Sequence, residues 1–359
     1  MNDLISIVIP TYRRPEMLLE ALESALVQDY RPLEVLVTDD SPDDASERAV
    51  RAVSVPDGIE VVYKRNDPSL RQARNVNSGF AAVRGTRIVL LHDDDRLLPG
   101  AVSVLAAAYD AHPGVIAAYG RHRLLTAEGV DRGDAVVEHV SKMYCRSDEF
   151  AGPQADPYAM ALRAQFPMNG YLVDADAARS VGYTVEEVVG SACDFDFGVR
   201  LGAIAKPGGF VFVPQDVSAY RLSPGSVSRA QGATSASTLM IPRLEAIVSS
   251  SGVSDAARRA AEDRLRWYAP FAVREFALAG RPGSAMRVWC GRYYGWGNRL
   301  RPRGWFHVVL STAPWLISPL LRVIDRTRPK RRALRARVLR AIGRDPARPM
   351  SVEQVTEAS

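Results

Sequence analysis

Three consecutive carboxylates, Asp93-Asp94-Asp95, follow His92 and the apolar stretch Arg87-Ile88-Val89-Leu90-Leu91, and they precede the turn signal Leu98-Pro99-Gly100. Such a run repels itself unless something positive sits among its members. Hard divalent cations take oxygen ligands, and often only one or two protein carboxylates hold them while substrate phosphates complete the shell. The run therefore reads as a seat for Mg²⁺ or Mn²⁺ carrying a diphosphate; taken alone it reads equally as a solvated acidic turn.

The surrounding elements give the run its context. Ile5 to Pro10 is a continuous apolar stretch suited to a buried parallel strand. It ends in Thr11-Tyr12-Arg13-Arg14-Pro15, after which a helical period begins at Met17, Leu18, Ala21, Leu22, Ala25 and Leu26. A second strand, Leu33 to Thr38, runs into Asp39-Asp40-Ser41-Pro42-Asp43, and a helix over 45–53 follows. A third strand over 59–63, a helix over 72–83 and a fourth strand over 88–91 complete the alternation. Strands alternating with helices predict a mostly parallel α/β sheet, in which ligands bind beyond the carboxyl ends of strands. Tyr12, Asp39, Asp40 and Asp93 to Asp95 all fall at such ends.

Ile7-Val8-Ile9-Pro10-Thr11-Tyr12, Val37-Thr38-Asp39-Asp40-Ser41-Pro42-Asp43, Ala73-Arg74-Asn75 and Leu91-His92-Asp93-Asp94-Asp95 resemble, in order and spacing, the motifs of the family 2 glycosyltransferases of GT-A fold. The resemblance implies that Pro10, Thr11, Tyr12 and Asp40 contact the nucleoside of a nucleotide-sugar donor, a UDP- or dTDP-sugar. It also places Arg71 or Arg74 near the donor diphosphate and counts Asn75 and Asp93 among the nucleotide-sugar contacts. The acidic run stands for the family's DXD element, with Asp94 and Asp95 as metal ligands; His92 stands where an aspartate is common, and Arg13 replaces a frequent Asn. The residue types agree: a carboxylate can accept the imide N–H of a uracil- or thymine-type base, and an aromatic ring can stack on its face. Tyr12 reads equally as a core aromatic, Asp39 to Asp43 as turn and capping chemistry, and Arg71 and Arg74 as surface residues.

Farther along, Val181-Gly182-Tyr183 and Cys193-Asp194-Phe195-Asp196 with Arg200 resemble the family's later elements, and Asp194 matches the position of its general base. A displacing hydroxyl needs a carboxylate within hydrogen-bond reach. Asp194 also reads as a helix N-cap, and Asp196 projects away from it on a helix, toward an acceptor or Arg200. Tyr220-Arg221-Leu222-Ser223 resembles a sixth element whose usual His is Ser223 here; with Arg221 it is a candidate acceptor or diphosphate contact. A hydroxyl can bind phosphate oxygen but does not replace an imidazole ligand.

Charge divides the chain. Residues 1–257 hold 24 Lys and Arg against 34 Asp and Glu, whereas residues 258–348 hold 22 against 5. The basic third must face something acidic, and no nucleic-acid module pattern accompanies it. The Arg-flanked apolar stretch Trp305 to Leu321 is shorter than a spanning helix and carries two prolines. Burial against the preceding domain is the preferred reading, and peripheral membrane contact through 299–344 is the other. Three widely spaced cysteines indicate neither a disulfide framework nor a zinc site, and no secretory signal pattern precedes the first strand, so the expected compartment is cytoplasmic.

The sequence thus predicts a GT-A domain over 1–230, with a donor half to about 100 and an acceptor half beyond it, then a helical basic region over 231–345 and a disordered tail over 346–359. The expected activity is metal-dependent inverting sugar transfer to a hydroxyl acceptor (a glycan, a glycolipid or a small-molecule glycoside), with 144–169 as an acceptor loop. A nucleotidyltransferase and a non-catalytic nucleotide-sugar-binding protein are the alternatives. No lysine follows a glycine, which excludes a Walker A loop, and Asp194 argues against a catalytically silent protein.

Overall fold

The computed structural model describes residues 2–222 and 235–300, together with Trp305 and Val309. Ser223, most of the 305–321 stretch, the basic run after it and the C-terminal tail lie outside the described residues.

The first strand, β1 (Ile5–Thr11), is apolar along its length and buried at every position, as a central parallel strand covered on both faces must be. Pro15 opens α1 (Pro15–Leu26) at a position where its missing N–H costs nothing. Leu18, Ala21, Leu22, Ala25 and Leu26 then form the stripe that α1 buries. The equally buried β2 (Leu33–Asp39) lies parallel to β1 and leads through α2 (Ala45–Arg51) to β3 (Ile59–Arg65). From there α3 (Gln72–Ala82) returns the chain to β4 (Arg87–Leu90), on the other side of β1. The chain order reverses between β1 and β4, so a crevice opens beyond their carboxyl ends.

The second half departs from the expected parallel arrangement. After β5 (Arg96–Leu97) and α4 (Ala101–Asp110) come β6 (Ala117–Leu125), β7 (Gly152–Pro153), β8 (Tyr171–Asp174) and β9 (Phe210–Arg221). Among the described residues the sheet runs β3-β2-β1-β4-β8-β6-β9-β5, with β7 on β9. β8 is antiparallel to both β4 and β6, and β9 is parallel to β6. The sheet is therefore mixed, its parallel N-terminal half joined through the antiparallel β8 to the β6 and β9 pair. β8 follows Gly170, whose φ is +65° and where an added Cβ would lie 2.5 Å from the Ser218 Cβ; only glycine fits so close a crossing.

Between the strands lie α5 (Asp134–Met143), α6 (Pro157–Leu162), α7 (Ala175–Val181), α8 (Glu186–Val189) and α9 (Cys193–Ile204); α10 (Ala236–Ser249), α11 (Asp255–Leu278), α12 (Pro282–Cys290) and α13 (Trp296–Leu300) follow. The 144–169 segment, expected as an acceptor loop, has secondary structure of its own. It carries β7 and α6 and buries Met160, Leu162 and Phe166. Two compact units divide at Leu265 and Arg266, later than residue 230, so α10 groups with the sheet.

Candidate active site

The crevice is a cleft of about 510 Å³. Its walls come from the end of β1 (Pro10, Thr11, Tyr12), the residue after β2 (Asp40), the start of α3 (Arg71, Asn75), the turn after β4 (His92, Asp93, Asp94), the start of α9 (Asp194) and Tyr220. Tyr12 is 49% exposed, which removes the core-aromatic reading, and the Arg13 guanidinium lies 5.2 Å from its ring centroid.

Asp39 and Asp40 divide their labour. Asp39 accepts from the Ser41 N–H at 2.7 Å and the Tyr63 hydroxyl at 2.7 Å, so it builds the turn and ties it to β3. Asp40 faces the cleft and accepts from Asn66 Nδ2 (2.8 Å), Ser69 Oγ (3.0 Å) and the Arg71 N–H (2.7 Å). It therefore pins the 66–71 loop along one wall. Asn75, buried, donates to the Thr38 carbonyl at 3.0 Å and accepts from Asn66, so its part is to brace that loop. The Arg71 guanidinium pairs with Glu187 at 2.8 Å, and Arg74 is exposed and outside the cleft. Arg71 precedes α3 with a φ of +70°, outside the helical spiral, and it lines the wall while Arg74 on the helix does not.

The acidic run is held from three directions. Asp93 accepts from Thr11 Oγ1 at 2.8 Å across the β1–β4 crevice, and Arg14 Nη1 bridges Asp93 (3.3 Å) and Asp94 (3.0 Å). Asp95, fully buried, accepts from the Arg221 N–H at 2.8 Å and from Asn169 Nδ2. Burial pushes the Asp93 carboxyl up to about 6, with Asp94 adding repulsion and Arg14 and Thr11 opposing. Burial, then Asp94, raise Asp95 well above its ordinary value. These shifts mark carboxylates that are buried first and crowded by one another second. His92, Asp94 and Asp95 each offer a ligand atom, all within 4.8 Å of one another, and the buried His92 Nε2 makes no hydrogen bond. Two carboxylates and an imidazole fit Mg²⁺ or Mn²⁺, the imidazole favouring the latter.

Asp194 stands in the first turn of α9 with its Oδ1 accepting from the Tyr183 hydroxyl at 3.0 Å and lying 3.5 Å from His92 Nε2. Burial alone would lower the His92 pKa. The Asp194 carboxylate, with Asp95 and Asp94 behind it, reverses this and raises it to about 9. His92 thus connects the acidic run to Asp194, a link that the sequence leaves invisible.

Three candidate contacts are engaged elsewhere. Asp196 is buried and accepts from Thr184 Oγ1 (2.6 Å) and Arg200 Nε (2.7 Å), and it pairs with Arg243 (3.0 Å). Arg200 also donates to the Val181 and Gly182 carbonyls. Arg221 donates to the Asp94 carbonyl at 3.0 Å and the Ala127 carbonyl at 3.1 Å, and pairs with Glu20. Two residues apart on a helix is more than half a turn, so Asp196 points away from the cleft while Asp194 lines it. Arg14 is the cleft side chain that the sequence reading passed over, although the self-repulsion of the run demanded a cation. A second cleft, about 540 Å³ beside α5, is lined by charged groups including Arg121, Glu138 and Asp216 and holds none of the candidate residues.

Residues 6–154 match the family model described as Glycosyl transferase family 2. Over 101 residues the chain is 31% identical to the GalNAc(5)-diNAcBac-PP-undecaprenol beta-1,3-glucosyltransferase of Campylobacter jejuni, covering 28% of this chain and 33% of that protein. Over 96 residues it is 31% identical to the glycosyltransferase GlyG of Streptococcus pneumoniae, covering 26% and 31%. The matched part spans about a third of the length of these curated relatives. The S. aureus TarS 1-349 crystal structure aligns with a TM-score of 0.58 at 13% identity, over 87% of this chain and 91% of that one; its complex with UDP-GlcNAc gives 0.57 at 12%. At such identity the likeness speaks for the fold, and it is the same GT-A architecture. Residues 6–154 thus match the family 2 glycosyltransferases by family model and in motif order, and the fold agrees with that match.

Proposed function

We propose that this cleft transfers a sugar from a UDP- or dTDP-sugar to an acceptor hydroxyl, with inversion at the anomeric carbon and dependence on Mg²⁺ or Mn²⁺. One observation carries the proposal: Asp194 faces the same cleft as Asp94 and is joined to it through His92, so a proton acceptor and a diphosphate anchor can act on one bound molecule. The family match and the fold support the same reading.

In this reading the exposed Tyr12 ring stacks on the base. Asp40 accepts the imide N–H with its remaining lone pair, three of the roughly four on a carboxylate being taken by the loop it holds. Asp94, Asp95 and His92 would hold the cation, His92 as a neutral imidazole. A bound cation supplies Lewis-acid stabilisation of the departing diphosphate. Both contacts to Asp194 fall on Oδ1, which leaves Oδ2 to take the acceptor proton. The freed hydroxyl oxygen attacks from the face opposite the diphosphate, and a single displacement inverts the centre.

Thermal unfolding with a panel of nucleoside diphosphates and Mn²⁺ tests the donor and metal assignments. A ligand at 100 times its Kd stabilises the fold by about 2.7 kcal/mol. EDTA, or Asp94→Ala, is expected to abolish the shift, and an equally large shift in EDTA contradicts metal dependence.

A further inference from the structure

Arg14 is the only side chain whose guanidinium bridges Asp93 and Asp94 among the described residues, and it does so from the cleft wall. Its backbone sits at the N-cap of α1, where Pro15 fixes the chain and the Leu18 N–H donates to the Arg14 carbonyl at 2.9 Å. The anchor is thus rigid while the long side chain, about a third exposed, can turn. One nitrogen, Nη1, serves both carboxylates, which leaves the rest of the guanidinium fork unspent on the acidic run. Thr11 holds Asp93 independently, but Asp94 has no other described side-chain donor, so the group offered to a cation is the one that Arg14 neutralises.

We propose that Arg14 is a built-in stand-in for the metal: it neutralises Asp93 and Asp94 while the cleft is empty, and turns onto the donor diphosphate when a divalent cation takes Asp94. This rests on the metal reading above. A cation at Asp94 brings two positive charges to the guanidinium's present position, and repulsion at such a distance inside a protein is strong. The nearest alternative partner for a planar fork of N–H donors is a phosphate, which Arg binds bidentately. Cation and donor then bind together rather than in sequence: the metal alone meets a competing charge, and the diphosphate gives that charge somewhere to go. Such coupling is reciprocal, each ligand tightening the other by the same factor.

Calorimetric titration of the intact protein with Mn²⁺ alone, UDP alone and both together tests this on wild type, Arg14→Gln and Arg14→Lys. Wild type is expected to bind Mn²⁺ weakly alone and about tenfold or more tighter with UDP. Arg14→Gln should bind Mn²⁺ alone about tenfold tighter than wild type and lose most of the coupling, while Arg14→Lys, which keeps the charge, should retain weak Mn²⁺ binding. Equal Mn²⁺ affinity in wild type and Arg14→Gln overturns the stand-in role with the metal site intact. Absence of Mn²⁺ binding to any of the three, with or without UDP, overturns the metal reading and this inference with it.

Discussion

Asp194 and Asp196 show how far environment divides two identical side chains. Asp194 lines the cleft with one oxygen engaged; Asp196 is buried under Thr184, Arg200 and Arg243 and ties α9 to α10 and to the turn after α7. Removing one partner of a buried ion pair strands the others, at a cost of about 3 kcal/mol. Asp196→Ala is therefore expected to lower stability by about that amount in urea unfolding. A loss under ~0.5 kcal/mol, the range of ordinary surface substitutions, contradicts the anchoring role. Arg221 is another residue of this kind: its partners, the Asp94 carbonyl, Asp95 and Glu20, make it part of the frame behind the acidic run.

At the level of elements, the parallel half of the sheet was legible because its strands are continuous apolar runs and its helices carry a clean 3.6-residue period. β1 to β4 and α1 to α3 fall within two residues or so of the expected bounds. The mixed second half was not legible. β8 and β9 owe their direction to pairings across long sequence separations, such as Arg87 with Asp174 and Ala117 with Phe210, and no local pattern encodes these. The site divides in the same way. Tyr12, Asp40, Asp94 and Asp194 lie at strand and helix ends that the sequence could place. The Arg14 bridge, the Asn169 contact to Asp95 and the His92 link to Asp194 arise only when elements far apart in the chain meet. Of the two arginines that the sequence offered, Arg71 lines the cleft because the backbone turns at it just before α3, a turn that helical spacing does not reveal.

For the whole molecule, the acidic N-terminal part and the basic C-terminal third pose a question of partners. No helix among the described residues is long and apolar enough to cross a membrane. In the C-terminal unit Trp296 (74% exposed), Leu300 (76%) and Trp305 (64%) accompany Arg292, Arg299, Arg301 and Arg303, a combination suited to an anionic bilayer surface. If this region docks on such a surface, the protein should co-sediment with anionic vesicles at low salt, each nearby Lys or Arg contributing about 1 kcal/mol, and be released at high salt. Trp296→Ser with Leu300→Ser should weaken the binding, and indifference to anionic vesicles at low salt contradicts the contact. The central claim, that one cleft binds a nucleotide-sugar and uses Asp194 to deprotonate its acceptor, is tested most directly by Asp194→Asn, with donor affinity and sugar release or transfer measured on the same preparation. Affinity should stay within a few fold of wild type while turnover falls by ~10²-fold or more, the range for a lost general base; unchanged turnover would contradict the account.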